Sequence, residues 1–251
     1  MGIKSKIINF QQYITDMSKY YLQRFIEQHN KFGKNSNYVL MFHCIVKDIS
    51  IIQDTEYSIS SAGFRELVEM LSSYGFRFCN VNEFVNNKGT AKILLTFDDA
   101  YSGVYTELFS FLRTRQIPFV VFQTSNFIDK EGYLSTYMIK EMLQYDKFML
   151  GVHTVSHCNL HESTDPEQEI IKPITAFYHK FGVKPNVFAY PYGAFVTLDA
   201  KNVKLVRENY QYAFSTCGAG CKRIRGIKKY LIPRINMNEN NYALFLEKVR
   251  S

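Results

Sequence analysis

No apolar run in the chain approaches the ~20 residues that a membrane-spanning helix needs, and no uninterrupted block of five or six like charges occurs. The first absence excludes a helical membrane span and the second the charged tail of many polyanion binders. The formal net charge of +7 comes from 30 scattered Lys and Arg residues. It suits an acidic partner, but with no nucleic-acid-binding motif beside it no nucleic acid is expected. An anionic glycan, a lipid-linked sugar phosphate or an acidic membrane surface fits the charge equally well. Cysteine is scarce: Cys44, Cys79, Cys158, Cys217 and Cys221 form an odd, scattered set, which argues for reduced thiols over a disulfide framework. Cys217 and Cys221 share a C-x-x-x-C spacing, yet no second ligand pair accompanies them. Nothing at the N-terminus resembles a signal peptide, since Lys4 and Lys6 lead into a mixed polar segment, so a cytoplasmic location is expected.

The 251 residues are 46% hydrophobic and 21% charged, enough for one barrel-sized core. From about 7 to 31, Phe10, Ile14, Met17, Tyr21 and Phe25 recur every three to four residues, predicting an amphipathic helix ended by Gly33. That helix either packs on the body of the protein or docks peripherally on a membrane, with Lys19, Arg24 and Lys31 beside its aromatics. Residues 1–37 are thus read as a helical extension and linker, and 38–251 as the main domain.

Within that domain apolar strands and amphipathic helices alternate. Strands are predicted over 38–46, near 76–81, and over 93–97, 117–122, 148–152, 187–190, 212–216 and 230–236. Helical patterns fall between them, one carrying Phe64, Leu67, Val68 and Leu71, others around 105–112, 136–144, 166–181 and 199–209. Repeated β-α units with hydrophobic strands predict an α/β fold whose parallel sheet is buried on both faces. Periodicity alone leaves an open sheet and a closed barrel equally compatible.

Two strands end on chemistry. Ile93-Leu94-Leu95-Thr96-Phe97 stops on Asp98-Asp99, adjacent acids whose mutual repulsion a divalent cation would relieve. Side chains leaving a strand tip diverge, so one of the two should ligate and the other should not. Met149-Leu150-Gly151-Val152 runs into His153 and His157, two imidazoles that reach one metal if the segment turns helically. His161 continues the same spacing. Tyr190-Pro191-Tyr192-Gly193 closes a third strand, where proline and glycine together aim the Tyr192 peptide N–H outward. His43 interrupts an otherwise apolar strand.

Thr96-Phe97-Asp98-Asp99, His153-Thr154-Val155-Ser156-His157 and Tyr190-Pro191-Tyr192-Gly193, in this order, resemble the polysaccharide deacetylase family, carbohydrate esterase family 4, over roughly residues 38–237. The resemblance implies a distorted (β/α) barrel of about seven parallel strands, here with an added N-terminal helix. It implies Asp99, His153 and His157 as ligands of one divalent metal ion, zinc first, with cobalt or nickel suited to the same donors. Asp98 becomes the base, and the Tyr192 N–H, in the turn set by Pro191, helps hold an oxyanion. Phe42-His43 matches the Tyr-His strand of the permuted branch that resembles poly-N-acetylglucosamine deacetylases, which makes His43 the general acid. Two departures stand out. Ala189 replaces the family's arginine two residues before the proline, and the chain lacks the family's tryptophan because it has none. Arg234, at a late strand tip, either replaces that arginine by holding Asp98 or makes a surface ion pair.

The activity so implied is hydrolysis of the N-acetyl group of an amino sugar in a glycan or a lipid-linked precursor. Removal of a formyl group from a lipid-linked formamido sugar, or of an O-acetyl group from a glycan, would use the same centre. A silent glycan-binding module would need neither a base nor a complete metal triad.

Overall fold

The computed structural model describes residues 32–52, 55–86, 89–216, 220–221 and 226–250. The helix expected over 7–31 lies outside the described residues, as do Cys217 and the side chain of Cys221.

Strands β1 (Asn37–Phe42), β2 (Cys44–Val46), β3 (Ser58–Ser60) and β4 (Arg77–Phe78) precede the central β5 (Lys92–Phe97). After it come β6 (Phe119–Gln123), β7 (Phe148–Val152), β8 (Val187–Ala189), β9 (Tyr212–Ser215), β10 (Gly220–Cys221), β11 (Ile232–Pro233) and β12 (Ile235–Asn236). The order β1-β5-β6-β7-β8-β9-β11 is parallel throughout, and β12 pairs in parallel with β1. Residues 232–236 therefore serve as the seventh strand. Their first half bonds to β9 and their second half to β1, which bridges the two sheet edges into a barrel. The expected single strand over 230–236 is thus two short ones that change partner across Arg234.

Every residue of β1, β5 and β6 is buried, as parallel strands covered on both faces require. Alternate residues separate the two sides. Tyr38, Leu40, Phe42, Ile93, Leu95 and Phe97 join the larger apolar cluster shared with the helices, while Val39, Leu94, Val120, Phe122, Val187, Phe214 and Ile232 form a second cluster, the barrel interior. Gly151 belongs to this inner row for a steric reason. A Cβ there would stand 2.5 Å from the Phe122 ring and 2.9 Å from Val187, so the aromatic ring fills the space that a β7 side chain would take. Val81 and Phe84, on the short helix Val81–Asn86, extend the inner cluster.

The helix Ser61–Ser73 starts as its sequence directs: Ser60 Oγ accepts from Gly63 N at 2.9 Å, and Phe64, Leu67, Val68 and Leu71 are buried. Such a cap contributes about 1 kcal/mol. The helix expected around 105–112 is a π-helix over Val104–Phe109 running into a short α-helix, Ser110–Thr114. A C-terminal helix over Tyr242–Arg250, which the sequence pattern did not single out, lays Phe245, Leu246 and Val249 on the outer core. The strand expected over 38–46 breaks at His43, because β2 leaves the barrel to pair with β3 in a separate two-stranded sheet. No helix among the described residues is long and apolar enough to cross a membrane.

Candidate metal centre

The inner row of β5 runs Leu94, Thr96, Asp98, so the strand that contributes to the apolar interior also delivers a carboxylate to its carboxyl end. Asp98 N donates to Phe42 O at 2.8 Å, fixing the strand tip against β1. Asp99 and Ala100 then adopt φ of 62° and 63°, a left-handed pair that costs roughly 1–2 kcal/mol per non-glycine residue. The turn sends Asp99 away from Asp98, and the two acids face different partners.

Asp98 faces Arg234. Arg234 Nη1 and Nη2 donate to Asp98 Oδ1 and Oδ2 at 2.6 and 2.7 Å, a bidentate pair whose arginine is 2% exposed. The guanidinium also lies over the Phe122 ring, 5.4 Å from its centroid, between the apolar interior and the polar rim. Burial by itself would raise the Asp98 pKa; the charges of Arg234 and His153 and the Arg234 hydrogen bonds outweigh it and bring it down to about 2. Of the two roles open to Arg234, partner of Asp98 or surface ion pair, the geometry is the first.

Asp99 faces the histidines. Its Oδ1 lies 3.0 Å from His157 Nε2 and 3.6 Å from His153 Nε2, and one ligand atom from each of the three residues falls within 4.8 Å of the others. Donors about 2.1 Å from a tetrahedral zinc stand about 3.4 Å apart, so these separations bracket what one such ion requires. His153 Nδ1 donates to Ala189 O at 2.8 Å, which orients the Nε2 lone pair toward Asp99, the tautomer that ligating histidines use. Burial lowers the His153 pKa against the pull of Asp98 and Asp99, keeping the ring neutral. The donor set fits a divalent cation.

The two histidines do not lie on a helical turn. Thr154 and His157 have φ of 64° and 62°, and the segment between them is a loop pinned from outside. Thr154 Oγ1 accepts from His157 N at 2.9 Å. Glu169 Oε2 accepts from Val155 N and Ser156 N, both at 2.9 Å, and Glu169 Oε1 from Ser156 Oγ at 2.9 Å. Glu169 sits in the first turn of the helix Pro166–Phe181, capped by Asp165. The sequence reading missed it, and only the pairing of a helix start with a distant loop reveals it. Glu169→Ala is expected to weaken divalent-metal binding at this cluster about 10- to 100-fold, as loss of the support behind a ligand does. Glu169→Gln, which keeps an acceptor for both N–H groups, should stay near native. Competition against a chromophoric chelator measures both.

His161, outside this group, lies 3.6 Å from Asp199. His43 lines the same cavity as the cluster, a space of about 770 Å3 whose walls include His43, Tyr57, Asp98, His157, Tyr192 and Arg234. The His43 Nδ1 is buried without a hydrogen-bond partner, and burial lowers its pKa despite Asp98 and Asp99 nearby. At the third strand tip Pro191 is buried, and Tyr192 and Gly193 have φ of 63° and 60°. Thr216 ties the turn down, donating from N to Gly193 O at 2.9 Å and from Oγ1 to Tyr192 O at 3.0 Å. A Cβ on Gly193 would stand 2.9 Å from Thr216 N, so this close approach needs glycine. Tyr192 is left 59% exposed, its ring edge-on to His157.

Comparison with known proteins gives a consistent picture. The family model described as polysaccharide deacetylase matches residues 85–213. A poly-beta-1,6-N-acetyl-D-glucosamine N-deacetylase of Staphylococcus epidermidis is 22% identical over 249 residues, spanning 87% of this chain and 84% of that protein. Among solved structures, a polysaccharide deacetylase from Bacillus cereus superposes with a TM-score of 0.72 at 24% identity, covering 84% of this chain and 69% of that one. IcaB from Ammonifex degensii superposes with 0.68 at 19% identity, covering 88% and 100%. These likenesses show the same fold.

Proposed function

Since this chain belongs to the polysaccharide deacetylase family, we propose that it is a metal-dependent hydrolase that removes the N-acetyl group from an N-acetylglucosamine-type sugar within a glycan. The observation that carries this reading is the division of labour at the β5 tip. One carboxylate is locked to an arginine and kept out of the ligand set, while its neighbour meets two imidazoles. A purely structural ion site has no use for the first, and an inert glycan binder none for either.

Asp99, His153 and His157 would hold the cation, zinc by preference. When bound, it supplies a Lewis acid that acidifies water and polarises an amide carbonyl. Asp98, ionised at neutral pH and oriented by Arg234, accepts the proton of the attacking water. The hydroxide attacks the acetamide carbon, and negative charge builds on the former carbonyl oxygen. The Tyr192 N–H, at the tied-down turn 190–193, donates to that oxygen. His43 carries the proton to the departing amine, so the C–N bond breaks to a free amino sugar and acetate. The position of His43 on the wall of the same cavity as Asp98 supports this role.

The test is acetate release from β-1,6-linked N-acetylglucosamine oligomers. Native protein should release acetate, a chelator should abolish the reaction, and added zinc should restore it. Release that a chelator leaves untouched, or no release from any oligomer of the dialysed and zinc-loaded protein, would overturn the reading. Formate release from an N-formyl analogue with no acetate release would redirect it to the formyl substrate.

A further inference from the structure

Three residues on the cavity wall each carry a buried polar atom with no hydrogen-bond partner among the described residues: His43 Nδ1, Arg234 Nε and Asn236 Oδ1. Buried polar atoms are paired with few exceptions, so three at one place need a reason. Their chemistry matches. An arginine Nε–H only donates, an amide oxygen accepts through two lone pairs, and a histidine Nδ1 donates when it carries the proton. Asn236 keeps its oxygen free for this, because its Nδ2 already donates to Glu56 O at 3.1 Å.

The strand period sets the three side by side. Asn236 stands opposite Met41 where β12 pairs with β1. Arg234 precedes it by two residues, and His43 follows Met41 by two. Side chains alternate along a strand, so Ile232, Arg234 and Asn236 share one inner row, and Val39, Met41 and His43 the row beside it. Val39 and Ile232 accordingly lie in the inner apolar cluster, and the other four line the cavity above it. The segment before β3 closes the group from outside. Glu56 O holds the Asn236 amide, and the next residue, Tyr57, packs edge-on against the His43 ring with centroids 5.0 Å apart.

We propose that Asn236 Oδ1 is the common acceptor of His43 Nδ1–H and Arg234 Nε–H, which makes Asn236 a positioning residue for the proton donor. Arg234 spends its two terminal nitrogens on Asp98, and its remaining Nε–H fixes the amide. The amide in turn holds the His43 ring with Nδ1 inward and Nε2 toward the cavity. Protonated His43 gives its Nε2 proton to the departing amine and keeps the Nδ1 proton on Asn236, so the ring ends neutral in a single tautomer. A neutral amide does this without setting another negative charge beside Asp98 and Asp99. The base and the acid are thus oriented from one short strand segment. The proposal rests on the deacetylase reading above for the role of His43.

One readout of the test needs no turnover. Native protein labelled with ¹⁵N should show a slowly exchanging His43 Nδ1–H resonance, identified by its absence in His43→Gln, and Asn236→Leu should remove it. For Asn236→Leu, kcat for acetate release from the N-acetylglucosamine pentamer should fall about 10- to 100-fold with KM within about twofold. Acetate release from p-nitrophenyl acetate, whose phenolate departs without needing a proton, should stay within about threefold of native. In the His43→Gln background Asn236→Leu should add no further loss, since it acts through that ring. A native His43 protonated on Nε2 alone, an Nδ1–H signal that survives Asn236→Leu, equal losses on both substrates, or additive losses in the double variant would overturn the proposal. An Nδ1–H signal that Asn236→Leu removes, in a native protein that releases no acetate from any glycan, would leave the hydrogen bonds standing and sink the deacetylase reading instead.

Discussion

Asp98→Asn protein is expected to bind zinc as tightly as the native chain and to release acetate about 10²- to 10⁴-fold more slowly, the range that a positioned general base contributes. The expectation follows from where the two acids point. Asp98 spends both oxygens on Arg234, at 2.6 and 2.7 Å, and its nearer histidine contact is 3.7 Å, to His153. The proposed ligand set is completed by Asp99, whose oxygen stands 3.0 Å from His157. Asparagine can still accept one Arg234 hydrogen bond and keeps the volume of the side chain, so the strand tip should hold its shape while losing the proton acceptor, at a cost in thermal stability from the uncompensated Arg234 charge. Asp99→Asn is the contrasting variant: it should lose both metal and turnover. Metal content after dialysis and the acetate rate at saturating substrate read the two effects separately. If Asp98→Asn lost the metal as Asp99→Asn does, or retained native turnover, the division of roles between the neighbours would be wrong.

The parts of this site that could be read from the residues alone are those written in a strand's own period. Leu94, Thr96 and Asp98 share one face by alternation, and Met149, Gly151 and His153 do the same on β7, so the two strand tips announce an inward-facing carboxylate and an inward-facing imidazole before any fold is known. What the pattern missed are features made by distant segments meeting. The break at His43 arises because Cys44–Val46 leaves the barrel to pair with Ser58–Ser60, and an unbroken apolar run carries no mark of that choice. The H-x-x-x-H spacing is compatible with a helical turn, but Glu169, from a helix that begins nine residues after His157, pins the loop in another shape. Arg234 was visible as a cation near a strand tip. Its role as sole link between two two-residue strands was not, since segments so short have no period to read.

That position makes Arg234→Met the substitution with the largest combined effect. Removing the guanidinium leaves the buried Asp98 carboxylate, 2% exposed, without its counter-charge, a loss that typically destabilises by about 3–5 kcal/mol. The same change frees the proposed base from the orientation it needs, so turnover should fall with stability. Methionine still fills space over Phe122, which keeps the loss of packing small and isolates the charge. Thermal unfolding of the cation-free protein should therefore show a marked drop for Arg234→Met. The double variant Arg234→Met/Asp98→Asn should recover much of it, because the orphaned charge is gone while the barrel closure through Ile232–Pro233 and Ile235–Asn236 remains. Neither variant should regain activity. If the double variant were as unstable as Arg234→Met alone, the cost would lie in the β9-to-β1 bridge, and Arg234 would be chiefly a structural residue of the barrel. If Arg234→Met were as stable as the native chain, the buried pair would owe its place to catalysis alone.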